Sequence, residues 1–262
     1  MLGLSLSQSW MIQSRVLGAL LMREILTRYG RHNIGFLWLF VEPMMFTLGV
    51  ATLWSFANLH KFSSIPIVAF AITGYSSVLL WRSMPSRCIA AIEANLSLLY
   101  HRNVRIMDVF LARIILEWVG TTISFVTLTI VFWALEWLAA PEDILKIALA
   151  WLMLAWFGAG LALLLGALAW SSETVDKLWH PASYLLFPLS GAAFLVDSLP
   201  AQAQQVVLLL PMVHGAEYLR EGFFGSVITA RYDLAYMAAC NAGLTVAGLL
   251  RIRAISGKVR PE

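Results

Sequence analysis

The stretch from residue 147 to residue 172 reads IALAWLMLAWFGAGLALLLGALAWSS and contains no charged side chain. A helix needs roughly 20 consecutive apolar residues to cross the hydrocarbon core of a bilayer, and this stretch is longer than that. Buried helices of soluble domains rarely carry so long a run without a charge. The stretch therefore predicts a transmembrane helix in an integral membrane protein.

The composition of the whole chain also indicates a membrane protein. Of its 262 residues, 60% are hydrophobic and 13% are charged, whereas soluble domains have about 45–50% apolar and about 25% charged residues. This composition argues against a soluble enzyme, a disordered tail and a collagen-like fibre. The net charge of +3 is too small for a nucleic-acid partner, whose binding needs clustered basic residues on one exposed face.

Five other stretches with few or no charges predict further membrane spans, which makes six in total. They are residues 34–57, 65–81, 118–135, 181–196 and 234–250, and the run at residues 147–172 is the fourth span in chain order. A further uncharged run at residues 198–216 contains Pro200, Pro211 and three glutamines. Because proline interrupts a helix, we expect a broken, re-entrant helix pair near the outer surface there, between spans five and six.

The basic residues decide the orientation, since Lys and Arg are enriched in the cytoplasmic segments of membrane proteins. Six spans with a cytoplasmic N-terminus place 14 of the 18 basic residues inside. A seventh span would move the basic C-terminus to the outside. The pattern favours a multi-pass protein with both chain ends in the cytoplasm.

The domain organisation follows from the absence of repeats, low-complexity tracts and flexible linkers in the sequence. We expect an all-α chain with one six-span domain at residues 34–251, an N-terminal cytoplasmic or interfacial helix within residues 1–33, and a cytoplasmic tail at residues 252–262. The N-terminal helix is expected at residues 11–29. It carries several charges, which is typical of a helix that lies at the membrane surface rather than across it.

Motifs for catalysis and for metal binding are absent from the sequence. No G-x-x-x-x-G-K-[ST] loop is present for ATP, the five histidines are scattered singly, and no serine lies in a hydrolase motif. Cys88 and Cys240 are expected to be unpaired thiols. We therefore expect no catalytic residue, no metal ion and no cofactor in this chain.

Three stretches, in this order, resemble the KpsM-type permeases, the membrane subunits of ABC transporters that export capsular polysaccharide. The first is LMREILTRYG at residues 21–30 with IGFLW at 34–38 and Glu42-Pro43; the second is AIEAN at 91–95 with Asp108 and Ala112-Arg113; the third is PMVH at 211–214 with Glu217 and Arg220-Glu221. The resemblance covers essentially the whole chain. It departs from the pattern at Leu210, where the family has asparagine before the proline.

The resemblance implies an exporter in the bacterial inner membrane, together with its partners. Two copies of the chain would form a homodimer and bind two copies of a cytoplasmic KpsT-like ABC ATPase, which would hold ATP and Mg²⁺. The substrate would be a lipid-linked acidic capsular glycan, and a KpsE-like export protein would face the periplasm. The alternatives are a permease for O-antigen, teichoic acid or a drug, and a non-conducting scaffold of a glycan-synthesis complex.

A short helix at residues 90–100 is predicted in the cytoplasmic loop between spans two and three. Its residues are good helix formers, and they place Glu93, Leu96 and Tyr100 at i, i+3 and i+7. With the resemblance, these residues and Asn95 of the AIEAN motif predict a coupling helix that docks on the ATPase. Without the resemblance, the segment would be an ordinary cytoplasmic hairpin.

The resemblance also implies a substrate entrance beside the N-terminal helix. Arg28, Arg31 and His32 would attract anionic sugar or lipid phosphate there, although the positive-inside rule explains the same charges without a substrate. Abundant aromatic residues are expected mainly in packing or in interfacial belts. Trp38, Tyr75 and Trp81 are candidates for stacking on sugars along the path.

Glu42 is a carboxylate inside the first predicted span, next to Pro43. An ionisable group at such a position is costly and takes a partner, for which Arg82 and Arg113 are the candidates. Pro43 removes a backbone donor, so a kink is expected at the same place. Glu42 is predicted to be a structural clamp near the inner gate or to contact the glycan directly.

At the outer side, spacings of three and four place His214 and Glu217 on one helical face with Arg220 beside Glu217. These residues are predicted to shape the polymer exit, to receive a periplasm-facing partner, or to hold the re-entrant pair together as a polar network. Two rows of small residues at four-residue spacing predict close helix packing. The rows are Gly158, Ala162, Gly166 and Ala239, Gly243, Ala247.

Overall fold

The computed structural model describes residues 6–29, 33–56, 65–99 and 104–259. All regular secondary structure within these residues is helical, which confirms the predicted all-α class. The α-helices are α1 (Leu6–Tyr29), α2 (Asn33–Phe56), α3 (Ile67–Cys88), α4 (Leu96–Leu99), α5 (Ile106–Ala134), α6 (Ile144–Ala169), α7 (Glu173–Leu189), α8 (Ala201–Val207), α9 (Pro211–Phe224) and α10 (Leu234–Val259). Three short 3₁₀-helices lie at Glu93–Asn95, Val196–Ser198 and Gly225–Val227. Arg31, His32 and Tyr100 lie outside the described residues.

Four helices in the described part of the chain are long and apolar enough to cross a membrane. They are α3, α5, α6 and the residues 234–257 of α10. Each contains most or all of a predicted span. The other two predicted spans fall on α2 and α7, of which α2 is continuous through Pro43; the predicted kink there stays a prediction.

Two of the predicted spans differ from the helices in their bounds. The span predicted from residue 118 belongs to α5, which begins at Ile106, where the Asp108 Oδ2 atom accepts a hydrogen bond from the Arg105 backbone N–H at 2.9 Å. The inner part of α5 carries Arg113 and Glu117, and a search for uncharged runs stops at such residues. The span predicted at residues 181–196 corresponds to α7, which begins and ends earlier in the chain.

The uncharged run at residues 198–216 divides into α8 and the start of α9. The turn at residues 208–210 separates the two helices, and Pro211 is the first residue of α9. Proline is favoured at that position because a first-turn N–H has no partner within the helix. The described tail at residues 252–259 continues α10 without a break.

Helix α6 lies at the centre of the fold, and α3, α9 and α10 pack against it. Glycines allow the close approach of α3. A Cβ atom at Gly158 would lie 2.8 Å from the Cα atom of Trp81, and one at Gly166 would lie 2.9 Å from the carbonyl oxygen of Cys88. The close packing predicted for this row of small residues is therefore present.

The second predicted row makes no such contact at Gly243 among the described residues. No described atom from another helix lies within 4 Å of the place where the Cβ of Gly243 would be. Helix α10 instead approaches α6 at Gly248, where a Cβ would lie 2.8 Å from the Cβ of Leu163. The four-residue spacing was right for helix packing, but the face of α10 that packs is a different one.

The variant Gly158→Ala is expected to lower the free energy of unfolding by about 1–3 kcal/mol, because its methyl group overlaps the backbone of α3. Gly243→Ala is the matched control, since it adds the same methyl group to a transmembrane helix at an open position. Thermal unfolding of both variants in the same detergent measures the difference. Equal midpoints for the two would contradict the close packing of α6 on α3.

Candidate functional site

Six charged side chains converge at one end of the helix bundle and form what we call the inner charge cluster. The cluster contains three carboxylates and three guanidinium groups, drawn from α1, α2, α3 and α5: Glu24, Glu42, Glu117, Arg28, Arg87 and Arg113. Long apolar helices carry few charges, so a charged residue near their ends stays in place only with a partner. The cluster supplies each of its members with at least one.

Glu117 of α5 is the central carboxylate of the cluster. Its Oε1 atom lies 2.5 Å from the Nη1 atom of Arg28 and 3.3 Å from the Nε atom of Arg87. Glu24 of α1 contributes a second carboxylate, 3.1 Å from the Nε atom of Arg113. The Glu117 side chain is only 11% exposed, so these contacts operate in a region of low dielectric, where they are stronger than surface ion pairs.

Glu42 pairs with Arg87, at 3.8 Å, and not with either of the predicted partners. Arg82 turns towards α7, where its Nε atom donates to the Ser183 hydroxyl at 3.3 Å and its guanidinium lies over the ring of Tyr184. Successive helical residues are about 100° apart, so Arg87 projects from a different face of α3 than Arg82 does. Arg113 is engaged by Glu24 instead. The prediction of a charged partner for Glu42 was right, and the identity of that partner was wrong.

A cavity of about 260 Å³ lies between α1, the end of α3 and the loop that follows α3. Four arginines line it: Arg23, Arg28, Arg87 and Arg113. The three carboxylates of the cluster balance three of these charges. The fourth, Arg23, donates to the Asn95 side chain. Within the described residues the arrangement is closer to a neutral clamp than to a strongly cationic surface.

The predicted coupling helix is an irregular segment at residues 89–99 rather than one regular helix. It contains a 3₁₀ turn at Glu93–Asn95 followed by the short helix α4. Glu93 is exposed and Leu96 is half-buried, so both can contact a partner. Asn95 is 3% exposed, and its side chain bonds to the Ala91 carbonyl at 2.8 Å and to Arg23. Asn95 therefore holds the segment from within.

Two of the three aromatic residues predicted along the path belong to the packed interior. Trp81 is 1% exposed and packs edge-on against Phe157, with ring centroids 5.9 Å apart. Tyr75 is also buried and packs edge-on against Phe187. Trp38 on α2 is 53% exposed. Of the three, Trp38 is the one whose ring is accessible in the single chain.

At the opposite end of the bundle, Arg220 of α9 forms what we call the outer clamp. This side chain is fully buried, and it donates to the carbonyl oxygens of Gly191, Ala192 and Phe194 at 2.5–2.6 Å. Its guanidinium also lies 3.9 Å from the centre of the Phe70 ring. Burial lowers the pKa of Arg220 to about 10, which leaves the group charged at neutral pH. Arg220 thus fixes the turn after α7 onto α9.

Glu217 and His214 complete the contacts of α9 with the surrounding turns. Glu217 accepts from the backbone N–H groups of Val196 and Arg231, at 3.2 and 3.1 Å. Burial raises the pKa of Glu217, and the nearby Arg220 opposes that change. His214 accepts from the Asp233 N–H through Nδ1, so Nε2 carries the proton that it donates to the Leu208 carbonyl. All three predicted residues face backbone, which favours the polar network over direct lining of an exit.

Several residues of the site did not stand out in the sequence. Arg87 and Glu117 were not selected, although a charged pair such as Arg113 and Glu117, four residues apart on an otherwise apolar helix, is a usable signal. Arg23 was noted only as one of several charges on α1. Gly74, which faces Arg220, gave no local signal at all: a Cβ there would lie 2.7 Å from the Arg220 Nη2 atom.

The chain is similar to membrane transport proteins along most of its length. The model of the family described as "ABC-2 type transporter" matches residues 15–224. The capsule polysaccharide export inner-membrane protein CtrC of Neisseria meningitidis serogroup B is 45% identical over 97% of this chain and 96% of its own length. For BexB of Haemophilus influenzae, another capsule polysaccharide export inner-membrane protein, the figures are 42%, 97% and 96%. The polysialic acid transport protein KpsM of Escherichia coli is 27% identical over 87% of this chain and 88% of its own length.

Proposed function

Since the chain belongs to the ABC-2 type transporter family, we propose that it is the transmembrane subunit of an ATP-driven exporter of capsular polysaccharide in the bacterial inner membrane. The similarity to CtrC along nearly the whole length of both chains carries this proposal. It favours a capsular glycan over the alternatives of O-antigen, teichoic acid or a drug, and over a non-conducting scaffold.

The finer features of the substrate and of the assembly are part of the same proposal. The glycan would be acidic and lipid-linked. The acidic character is supported by the name of the relative that transports polysialic acid. The chain would form a homodimer with two copies of a KpsT-like ATPase, which would hold ATP and Mg²⁺, and a KpsE-like protein would face the periplasm. The chain would then bind and guide the polymer and perform no chemical step itself.

In the proposed topology the chain spans the membrane six times. Helices α2 and α7 would join the four helices that are long and apolar enough to cross. The distribution of Lys and Arg supports cytoplasmic chain ends. In that orientation the inner charge cluster would lie near the cytoplasmic surface and the outer clamp near the periplasm. The α8 and α9 pair would then be re-entrant from the periplasmic side.

The glycan is proposed to enter beside α1 and α2. Arg31, His32 and the exposed Trp38 remain the candidates for contact with sugar or lipid phosphate. Arg28 is engaged with Glu117 and Glu24, which supports a role in holding the entrance together. Glu42, half-exposed and 3.8 Å from Arg87, is proposed as a clamp that opens when the helices at the entrance separate.

Reconstitution tests the proposed function directly. The chain is co-purified with the ATPase encoded beside capsule-synthesis genes, placed in vesicles, and supplied with lipid-linked capsular glycan on the cytoplasmic-equivalent side. ATP-dependent protection of the glycan from an added glycan-degrading enzyme is the expected result. Transport by the chain alone, or no transport by the complex with ATP, would contradict the proposal.

The combined variant Glu93→Arg, Leu96→Ala is expected to reduce export about tenfold or more, because it alters the accessible side of the segment at residues 89–99, where the ATPase is proposed to dock. The chain should still insert in the membrane, since Glu93 is exposed and Leu96 is half-buried. Surface glycan and ATP hydrolysis are measured in parallel. Ser97→Ala, at another exposed position of the same segment, is the control. Full export by the combined variant would exclude this docking surface.

A further inference from the structure

The segment at residues 89–99 is attached to α1 directly at one point, and through the end of the preceding helix α3 at a second. Its middle is held by Asn95, whose buried side-chain oxygen accepts a hydrogen bond from the guanidinium of Arg23. The last turn of α3, just before the segment, is held through Arg113 of α5, whose Nη1 atom donates to the carbonyl oxygen of Arg87 at 2.5 Å. The same Arg113 pairs with Glu24 at 3.1 Å. Both attachments therefore end on adjacent residues of α1, Arg23 and Glu24.

Attachment at two points constrains orientation as well as position. A single hydrogen bond would let the segment pivot against α1, whereas a second contact that holds the preceding turn of α3 near the same residues of α1 restricts this rotation. Asn95 uses both ends of its amide, because its Nδ2 atom also donates to the Ala91 carbonyl at 2.8 Å. This bond closes the turn on itself, so a displacement of the exposed side near Glu93 is passed to Arg23 instead of being absorbed by the turn.

Helix α1 is fastened to the rest of the bundle by further polar contacts along its length. Gln13 donates to Asp108 in the first turn of α5, and Arg28 pairs with Glu117 on the same helix. Helix α1 also packs mainly against α5 and α2. Motion of the segment at residues 89–99 would thus reach α1 and α2, the two helices beside the proposed entrance.

From these contacts we infer that Arg23 and Asn95 are positioning residues that couple the ATPase-docking segment to α1, so that the two move as one body during export. The inference rests on the proposed function, because it assigns a direction of force to an ATP-driven exporter. The segment is joined by the chain to α3 and α5, so its motion reaches these two helices directly. Through Arg23 and Asn95 its motion also reaches α1, the helix that flanks the proposed entrance.

Alanine and aspartate substitutions test the pair in the complex with the ATPase. Arg23→Ala and Asn95→Ala are each expected to lower export about tenfold per ATP hydrolysed, the effect of losing one charge-assisted hydrogen bond from the coupling path. Asn95→Asp keeps an acceptor for Arg23 but removes the Nδ2 donor to the Ala91 carbonyl, so it is expected to export more per ATP than Asn95→Ala and less than the wild type. Arg15→Ala is the control, since the Arg15 guanidinium contacts only Met11 on its own helix among the described hydrogen bonds. An unchanged ratio of export to hydrolysis in both alanine variants would overturn the inference.

Cross-linking gives a second readout that does not depend on the stability of those variants. Cysteines are placed at positions 23 and 95 and joined by a short, cleavable thiol reagent, and the chain with only Cys88 and Cys240 is treated in the same way as a control. Because the two cysteines replace Arg23 and Asn95, the variant without a cross-link should export poorly, and the cross-link, which rejoins α1 to the segment, should raise its export per ATP hydrolysed until the reagent is cleaved. Export that stays the same or falls on cross-linking would overturn the inference. Failure of the wild-type complex to export would instead contradict the proposed function.

Discussion

Replacing Arg220 with glutamine is expected to cost the folded protein about 3–5 kcal/mol and to remove most of it from the membrane. The side chain is fully buried and its two terminal nitrogens serve three backbone carbonyls, those of Gly191, Ala192 and Phe194. Glutamine is shorter and has one donor group, so at least one of these carbonyls would be left buried without a partner. Glu217 would also lose the positive charge of Arg220, which opposes the rise of the Glu217 pKa on burial.

Lysine at position 220 is expected to be nearly as damaging as glutamine. Its ammonium is a compact point charge and cannot reproduce the planar fork of a guanidinium that bonds the carbonyls of one turn while it lies over the Phe70 ring. The space around the group is also limited. A Cβ atom at Gly74 would lie 2.3 Å from the Ala192 oxygen. The turn after α7 therefore lies directly against α3 and has little room to move when the side chain at position 220 changes.

Arg231 is the matched control for Arg220. Its guanidinium lies 2.7 Å from Asp197, but the two side chains are 50% and 42% exposed, and exposed ion pairs contribute about 1 kcal/mol or less. Arg231→Gln also keeps the backbone N–H that donates to Glu217. The amount of each variant in the membrane and its thermal midpoint in detergent measure the contrast. Similar losses for Arg220→Gln and Arg231→Gln would refute the outer clamp.

The membrane-crossing helices could be predicted from the sequence wherever hydrophobicity alone decides the structure. The run at residues 147–172 corresponds to α6 within a few residues, because each of its side chains favours an apolar environment independently of the rest of the fold. Prediction failed at the inner part of α5. There Arg113 and Glu117 are tolerated through contacts with α1 and α3. The sequence of α5 alone does not predict these partners.

The candidate site was predictable as a set of segments and much less so as a set of contacts. The motif at residues 91–95 indicated the segment that is proposed to dock, yet the side-chain oxygen of Asn95 is bonded by Arg23, 72 positions earlier in the chain. Helical spacing placed Arg220 beside Glu217, whereas the structure directs its guanidinium to the turn after α7. Spacing rules describe neighbours on one helix, and these partners come from other elements.

Glu117→Gln is expected to reduce export at least about tenfold and to destabilise the chain by about 3 kcal/mol, because Arg28 and Arg87 would then lie in a half-buried site without their common counter-ion. Glu173→Gln is the control. It makes the same chemical change at a residue whose pairing with Lys177 is almost fully exposed, and it should alter stability by a few tenths of a kcal/mol. Export in cells and thermal midpoints in detergent are the measurements.

Combining Glu117→Gln with Arg28→Gln separates the two roles considered for Arg28. If Arg28 acts as a clamp through Glu117, the double variant carries one unpaired charge fewer than either single variant, and its loss of stability should be clearly smaller than the sum of the two. Export should recover in parallel, because the pairs Glu24–Arg113 and Glu42–Arg87 still join α1 to α5 and α2 to α3. If Arg28 instead binds the anionic glycan, removal of Glu117 cannot restore that contact, and the double variant should export no better than Arg28→Gln alone. Recovery of stability without recovery of export would therefore assign Arg28 to the substrate and leave Glu117 to hold it in place.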